Sequence, residues 1–268
     1  MNKAIFEKPD ILNLKKKGYC CVDMHFHTRY SDGLSKIRDV YKKCKKLGAG
    51  VAITDHNEIK GALKIVKYKD IIAIPGMETT TAEGIHTLFY FHSARELEEF
   101  HKKFVNKNRS PENPLSDLGI SLPEIVEEAG KYNCRISSAH PFGPWNTGFH
   151  KFANKKEYKK AIKKIDFIEA INSSTLHEAN KKAIEWGKKL GKPFTGGSDG
   201  HASIFFGKTI TATTDKKNFL DNLKKESLVL GTEINAALLS LRHLLKLRMF
   251  SRFPKFYIKK LIKYYLPK

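Results

Sequence analysis

Seven short runs rich in β-branched and aromatic residues are separated by stretches with helical spacing, and this alternation most constrains the fold. The expected strands are 20–27, 49–56, 71–76, 85–92, 135–140, 167–172 and 193–199. Between the first two, Ile37, Val40, Tyr41, Cys44 and Leu47 recur at helical spacing and the pattern stops at Gly48. Ser121 is placed to cap a helix that begins LPEIVEEAG, and helices are also expected over 94–106, 155–164, 176–190 and 215–225. The polar, proline-bearing stretch 106–119 reads as an excursion. Repeated βα units build parallel sheets, so the pattern predicts an α/β barrel over 1–232 and a basic helical extension over 233–268.

Polar residues gather where these strands end. In DMHFHTRYSDG, residues 23–33, alternation sends Cys21, Asp23, His25 and His27 to one face and Val22, Met24 and Phe26 to the other. Two imidazoles on one face can direct ring nitrogens towards a single cation. Asp55 and His56 end the second strand, Glu78 follows the third, His140 ends the fifth, and Asp199 and His201 end the seventh. Parallel barrels keep their active sites at the carboxyl ends of their strands, so a metal site is expected there.

Lysine and arginine number 49 against 28 acidic residues, a formal net charge of +21 that favours anionic partners. The four cysteines show no C-x-x-C spacing, and adjacent Cys20 and Cys21 point to opposite strand faces, so no disulfide framework is expected. The charged N-terminus does not read as a signal peptide and no apolar run reaches spanning length, which predicts a cytoplasmic protein. From Ile234 onward there are nine lysines and arginines and no acidic residue, and Ile258, Leu261, Ile262 and Tyr265 share one helical face while Lys259, Lys260 and Lys263 take the other. Such a segment suits peripheral contact with an anionic membrane or a nucleic-acid backbone, or packing on the barrel.

The motifs DMHFHTRYSDG, TDHN, PGMETTT with GIHTLFYF, SSAHPFG, DFIEAIN and GGSDGH resemble, in order, those of the polymerase and histidinol phosphatase (PHP) domain phosphoesterases. The resemblance covers about residues 19–231 and is closest to small stand-alone members acting on nucleotide or oligonucleotide phosphates. It implies a distorted seven-stranded (β/α) barrel holding three divalent metal ions, of manganese, zinc or iron. His25, His27 and Asp199 would hold one metal, with Glu78 bridging; Asp32, His56 and His201 would hold a second. His140 and the third-motif histidine would hold the third. His86 matches the family position, although His92 shares its strand face.

Asp55 is expected to orient an imidazole, Arg29 is either a phosphate anchor or a solvated loop arginine, and His201 or His140 would protonate the leaving oxygen. The implied reaction is attack of a metal-activated hydroxide on a phosphate ester of a nucleotide or short oligonucleotide. The alternatives are a histidinol-phosphate type of small-molecule phosphatase and, in another class, a nucleic-acid or membrane binding protein with a structural metal cluster.

Overall fold

The computed structural model describes residues 2–110, 116–143, 148–152 and 154–233. The first half comprises β1 (Asn2–Ile5), α1 (Ile11–Lys16), β2 (Cys20–Phe26), α2 (Ile37–Leu47), β3 (Gly50–Ile53), α3 (Lys60–Ile65), β4 (Ala73–Thr80) and β5 (His86–Phe91). Next come α4 (Ala94–Phe100), a π-helical turn (His101–Val105), α5 (Asn106–Asn108), α6 (Leu122–Ala129) and β6 (Cys134–Ser138). A 3-10 turn (Phe149–Phe152) precedes α7 (Lys156–Lys164), β7 (Phe167–Asn172), α8 (His177–Leu190) and β8 (Phe194–Gly197). The described chain ends with β9 (Thr209–Thr213), α9 (Phe219–Asn222) and β10 (Ser227–Gly231). The basic extension lies, from residue 234, outside the described residues.

All the strands belong to one ten-stranded sheet in the order β1-β10-β9-β2-β3-β4-β5-β6-β7-β8. The sheet curls until the chain beyond β8 meets β2 again: Asp199 N donates to His25 O at 2.8 Å and His27 N to Gly200 O at 3.0 Å. β9 occupies only Cys20–Val22 of β2, which leaves the half that carries the histidines to form the closing seam. The result is a nearly closed, barrel-like α/β sheet.

The seven expected strands coincide with β2–β8, and β1, β9 and β10 raise the observed count to ten. The sheet is also not wholly parallel. β5 runs antiparallel to both β4 and β6, because the loop 81–85 is too short for the dozen or so residues that a parallel crossover needs. The start of β5, not its end, therefore reaches the face where the other strands end. The helix expected over 215–225 contracts to α9, and α1 and α3 are additional. Ser121 does cap α6, in a reciprocal capping box with Glu124.

Simple alternation also fails along β2. Pairing with β3 shifts register between Asp23 and Phe26, so Met24 and Phe26 do not share a face. Phe26 packs with Val40, Ile53 and Phe89 in the layer between sheet and helices. Val22 and Met24 instead join Ala52, Leu88, Tyr90 and Phe167, contributed by strands around the curl, with Phe219 and Leu223 at α9. This inner cluster fills the lower part of the barrel and leaves its upper part to polar side chains.

Candidate metal centre

Six segments meet above that inner cluster. His25 and His27 rise from β2 and its end, Asp32 from the following loop, His56 from the end of β3, and Glu78 from within β4. His86 opens β5, His140 follows β6, and Asp199 and His201 follow β8. Glu78 is the hub. Its Oε2 lies 3.4 Å from His25 Nε2, 3.3 Å from His27 Nε2 and 3.2 Å from His56 Nδ1. Its Oε1 lies 3.0 Å from His86 Nδ1 and 3.3 Å from His140 Nε2. Asp199 Oδ1 stands 3.7 Å from His25 Nε2 and 3.3 Å from His27 Nε2. Asp32 faces His201 Nε2 at 2.8 Å, His56 Nε2 at 3.8 Å and His27 Nδ1 at 3.6 Å.

The two histidines of β5 separate here. His86 joins the cluster, whereas His92, at the far end of the antiparallel strand, faces Asp221 at 3.6 Å beside Arg135. His56 stands between the groupings expected from sequence, with one ring nitrogen turned to Glu78 and the other to Asp32.

Asp55 departs from its expected role. Its carboxylate accepts from Thr28 N at 2.6 Å, Thr28 Oγ1 at 2.7 Å and Ser31 Oγ at 2.7 Å, so it moors the loop that carries Asp32 rather than an imidazole. The residue that orients an imidazole is Glu169 of β7, to which the sequence assigns no role. Its Oε1 accepts from His25 Nδ1 at 2.9 Å and its Oε2 from His140 N at 2.6 Å. An acidic residue inside the otherwise apolar FIEA run was the available signal. Asp23, also buried, accepts from Ser198 N, Ser198 Oγ and Gly207 N and ties the loop beyond β8 to β2.

Backbone geometry at the cluster is specialised. Asn57, His140 and Asp199 are the non-glycine residues with positive φ among the described residues, at 49°, 28° and 47°, and each is in or next to the cluster. Gly197 runs so close to β2 that a Cβ there would lie 2.4 Å from the backbone nitrogen and the Cβ of His25. Gly197→Ala is therefore expected to force the seam apart, destabilising the protein by roughly 3 kcal/mol, the upper range for overpacking. A denaturation midpoint equal to the parent's would contradict this.

The donor set fits divalent cations. Because Nδ1 of His25 donates to Glu169, its Nε2 carries a lone pair aimed into the cluster, and it meets His27 Nε2 at 3.1 Å. His201 Nδ1 likewise donates to Asp199 O at 2.9 Å, which turns its Nε2 lone pair on the Asp32 carboxylate. Two acceptors that close need a proton or a cation between them. Nδ1 of His27, Nδ1 of His56 and Oε1 of Glu78 are buried without a well-directed hydrogen bond. Three overlapping groups could hold an ion: His27, Asp32, His56 and His201; His25, His27 and Asp199; and His56, Glu78 and His86.

Without cations, protons take their place. Burial opposes a charged His27, but Asp199, Glu78 and Asp32 outweigh it and push the imidazole up to about 10. Burial pushes His56 down to about 3, and the imidazoles hold Glu78 and Asp32 well below the carboxylate range despite burial. A raised histidine stabilises fully below its unfolded value of 6.5 and loses that contribution as pH climbs through about 10. The cation-free protein is thus expected to lose melting temperature between pH 6.5 and 10, and added manganese to remove most of the slope. A melting temperature independent of pH in the chelated protein would contradict the assignment.

Arg29 is exposed, with its guanidinium carbon 5.9 Å from the Tyr30 ring centroid, on the loop above the cluster. The cluster is closed on the His25 and His27 side, whose side chains have 0% exposure, and opens at His56 (13%), His86 (20%) and His140 (9%). No helix among the described residues is long and apolar enough to cross a membrane.

Comparison with known proteins agrees with this arrangement. The PHP domain model matches residues 23–190, and a PHP-associated model matches 177–228. An uncharacterized protein of Methanocaldococcus jannaschii is 36% identical over 137 residues, covering 46% of this chain and 68% of that protein. Among solved structures, the lesion-specific endonuclease EndoQ of Pyrococcus furiosus superposes with a TM-score of 0.62 at 20% identity, over 79% of this chain and 57% of that one. PsfC of Pseudomonas syringae superposes with a TM-score of 0.61 at 16% identity, over 87% of this chain and 99% of that one. With a family match that runs from the start of the first histidine motif through β7 and α8, the chain belongs to the PHP domain family.

Proposed function

We propose that the protein is a metal-dependent phosphoesterase acting on nucleotide or short oligonucleotide phosphates. The carrying observation is the convergence of five imidazoles on the Glu78 carboxylate at 3.0–3.4 Å. His25, His27 and Asp199 would hold one cation, Asp32, His56 and His201 another, and His86 and His140 a third, with Glu78 shared among them. Bound divalent cations supply a nucleophile at neutral pH and neutralise charge on the phosphate oxygens.

The protein's own groups do the rest. Glu169 holds His25 in the tautomer that presents Nε2 and fixes the backbone of His140. Asp55 and Asp23 hold the loops that bring Asp32 and Asp199 into place. His201 has both ring nitrogens engaged, by Asp199 O and by Asp32, so it is fixed as a ligand rather than as a proton donor. Arg29, exposed on the loop between His27 and Asp32, would be the guanidinium to meet a phosphate. The likeness to a lesion-specific endonuclease supports a nucleotide-bearing substrate. A small-molecule monoesterase uses the same cluster and is the second reading.

The experiment is turnover of a chromogenic phosphodiester with added manganese, then of a nucleoside bisphosphate, a short single-stranded RNA and histidinol phosphate. Hydrolysis abolished by chelator and highest on the nucleotides supports the proposal; preference for histidinol phosphate selects the second reading, and no hydrolysis of any ester overturns both.

A further inference from the structure

The cluster opens beside His140, and the chain that leaves His140 carries two features the proposed chemistry does not use. The first is a stacked ring pair. Phe142 and His150 lie nearly parallel, with centroids 4.4 Å apart and planes 14° apart, and Trp186 braces Phe142 edge-on at 6.0 Å. His150 is held there by its Nδ1, which donates to Pro141 O at 2.6 Å. The second is α7, in which Glu157 is the single acidic residue among five lysines. Tyr158, Ala161 and Ile162 are buried against the barrel, while Lys156, Lys159, Lys160 and Lys163 are all exposed. Phe152, two residues beyond His150, packs against Tyr158 with ring centroids 5.1 Å apart, so α7 begins beside the ring pair and its lysines form a stripe leading away from it along the helix.

We infer that the Phe142–His150 pair and the lysine stripe of α7 bind a single-stranded nucleic acid, with a base on the ring pair and the backbone along the helix. This rests on the proposed phosphoesterase reading and deepens it: the substrate is a strand that extends beyond the cleaved phosphate. Aromatic faces at an opening, continued by a basic track, are what non-sequence-specific strand binding needs. A membrane surface fits α7 less well, because its apolar side chains are already buried and none is left to enter the headgroup region.

The test uses the full chain and a fourfold variant, K156Q/K159Q/K160Q/K163Q, none of whose residues belongs to the metal cluster. Binding of a labelled 20-nucleotide oligo(dT) is measured by anisotropy in chelator from 50 to 200 mM salt, beside vesicles containing acidic lipid. Four lost phosphate contacts lower the salt slope by about 2.8, so across that range wild-type binding falls roughly fifty-fold more than the variant's. Turnover of the small chromogenic ester stays at the parent's level. His150→Ala weakens oligo(dT) binding but leaves binding of inorganic polyphosphate unchanged. Equal salt slopes in variant and parent overturn the inference, as does a variant that loses vesicle binding while keeping oligo(dT). If the wild type hydrolyses no ester, the active-site reading fails on that result, and the chelated binding measurement still decides the surface.

Discussion

Glu78→Gln is expected to lower phosphoester turnover by at least three orders of magnitude, which corresponds to about 4 kcal/mol of transition-state stabilisation. The substitution keeps the shape of the side chain and removes the one charge that five imidazoles face. Glutamine keeps a single neutral carbonyl oxygen as a donor, so any cation held at Glu78 would lose the carboxylate charge there. The fold should survive, since β4 keeps its pairing with β5 through backbone bonds that the change does not touch. Parallel measurement of far-ultraviolet dichroism and bound manganese separates the outcomes. A folded variant with wild-type turnover would remove Glu78 from the chemistry altogether.

Glu169→Gln is expected to act one step back, weakening metal affinity about ten- to a hundredfold, the usual cost of losing a carboxylate behind a ligand imidazole. Glu169 is buried and accepts from His25 Nδ1, His140 N and Asn172 Nδ2. An amide can accept at only one of its two ends, so either the tautomer of His25 or the positive-φ backbone of His140 loses its support. Raising the manganese concentration should restore much of the turnover, which it cannot do for Glu78→Gln. Isothermal titration with manganese reads the affinity directly, and an unchanged affinity would show that Glu169 serves packing alone.

The strands that carry the cluster were legible because each joins a β-rich run to a conspicuous polar terminus, as in TDHN or GGSDGH. What escaped has specific physical causes. β9 alternates threonines with Ile210 and Ala212 over only five residues, and the buried hydroxyls of Thr209 and Thr211 are satisfied by Ser173 and Gly196, partners distant in sequence that the short run does not announce. The antiparallel direction of β5 is set by the short loop before it. Identical spacing could not tell His86 from His92, and strand direction could. Glu169, of which nothing was expected, takes the part expected of Asp55, because a carboxylate next to a ligand in sequence need not touch that ligand in space. Asp55 points back into the loop of Thr28 and Ser31, while Glu169 reaches His25 from the far side of the barrel.

The central claim, that these side chains gather to hold divalent cations around Glu78, is tested most directly by anomalous diffraction from crystals of the manganese-loaded protein. The account predicts anomalous peaks inside the cluster, with at least two of them within coordination distance of the Glu78 carboxylate, and their loss in Glu78→Gln crystals. Manganese-loaded crystals with no anomalous peak among His25, His27, His56, Glu78 and Asp199 would contradict it.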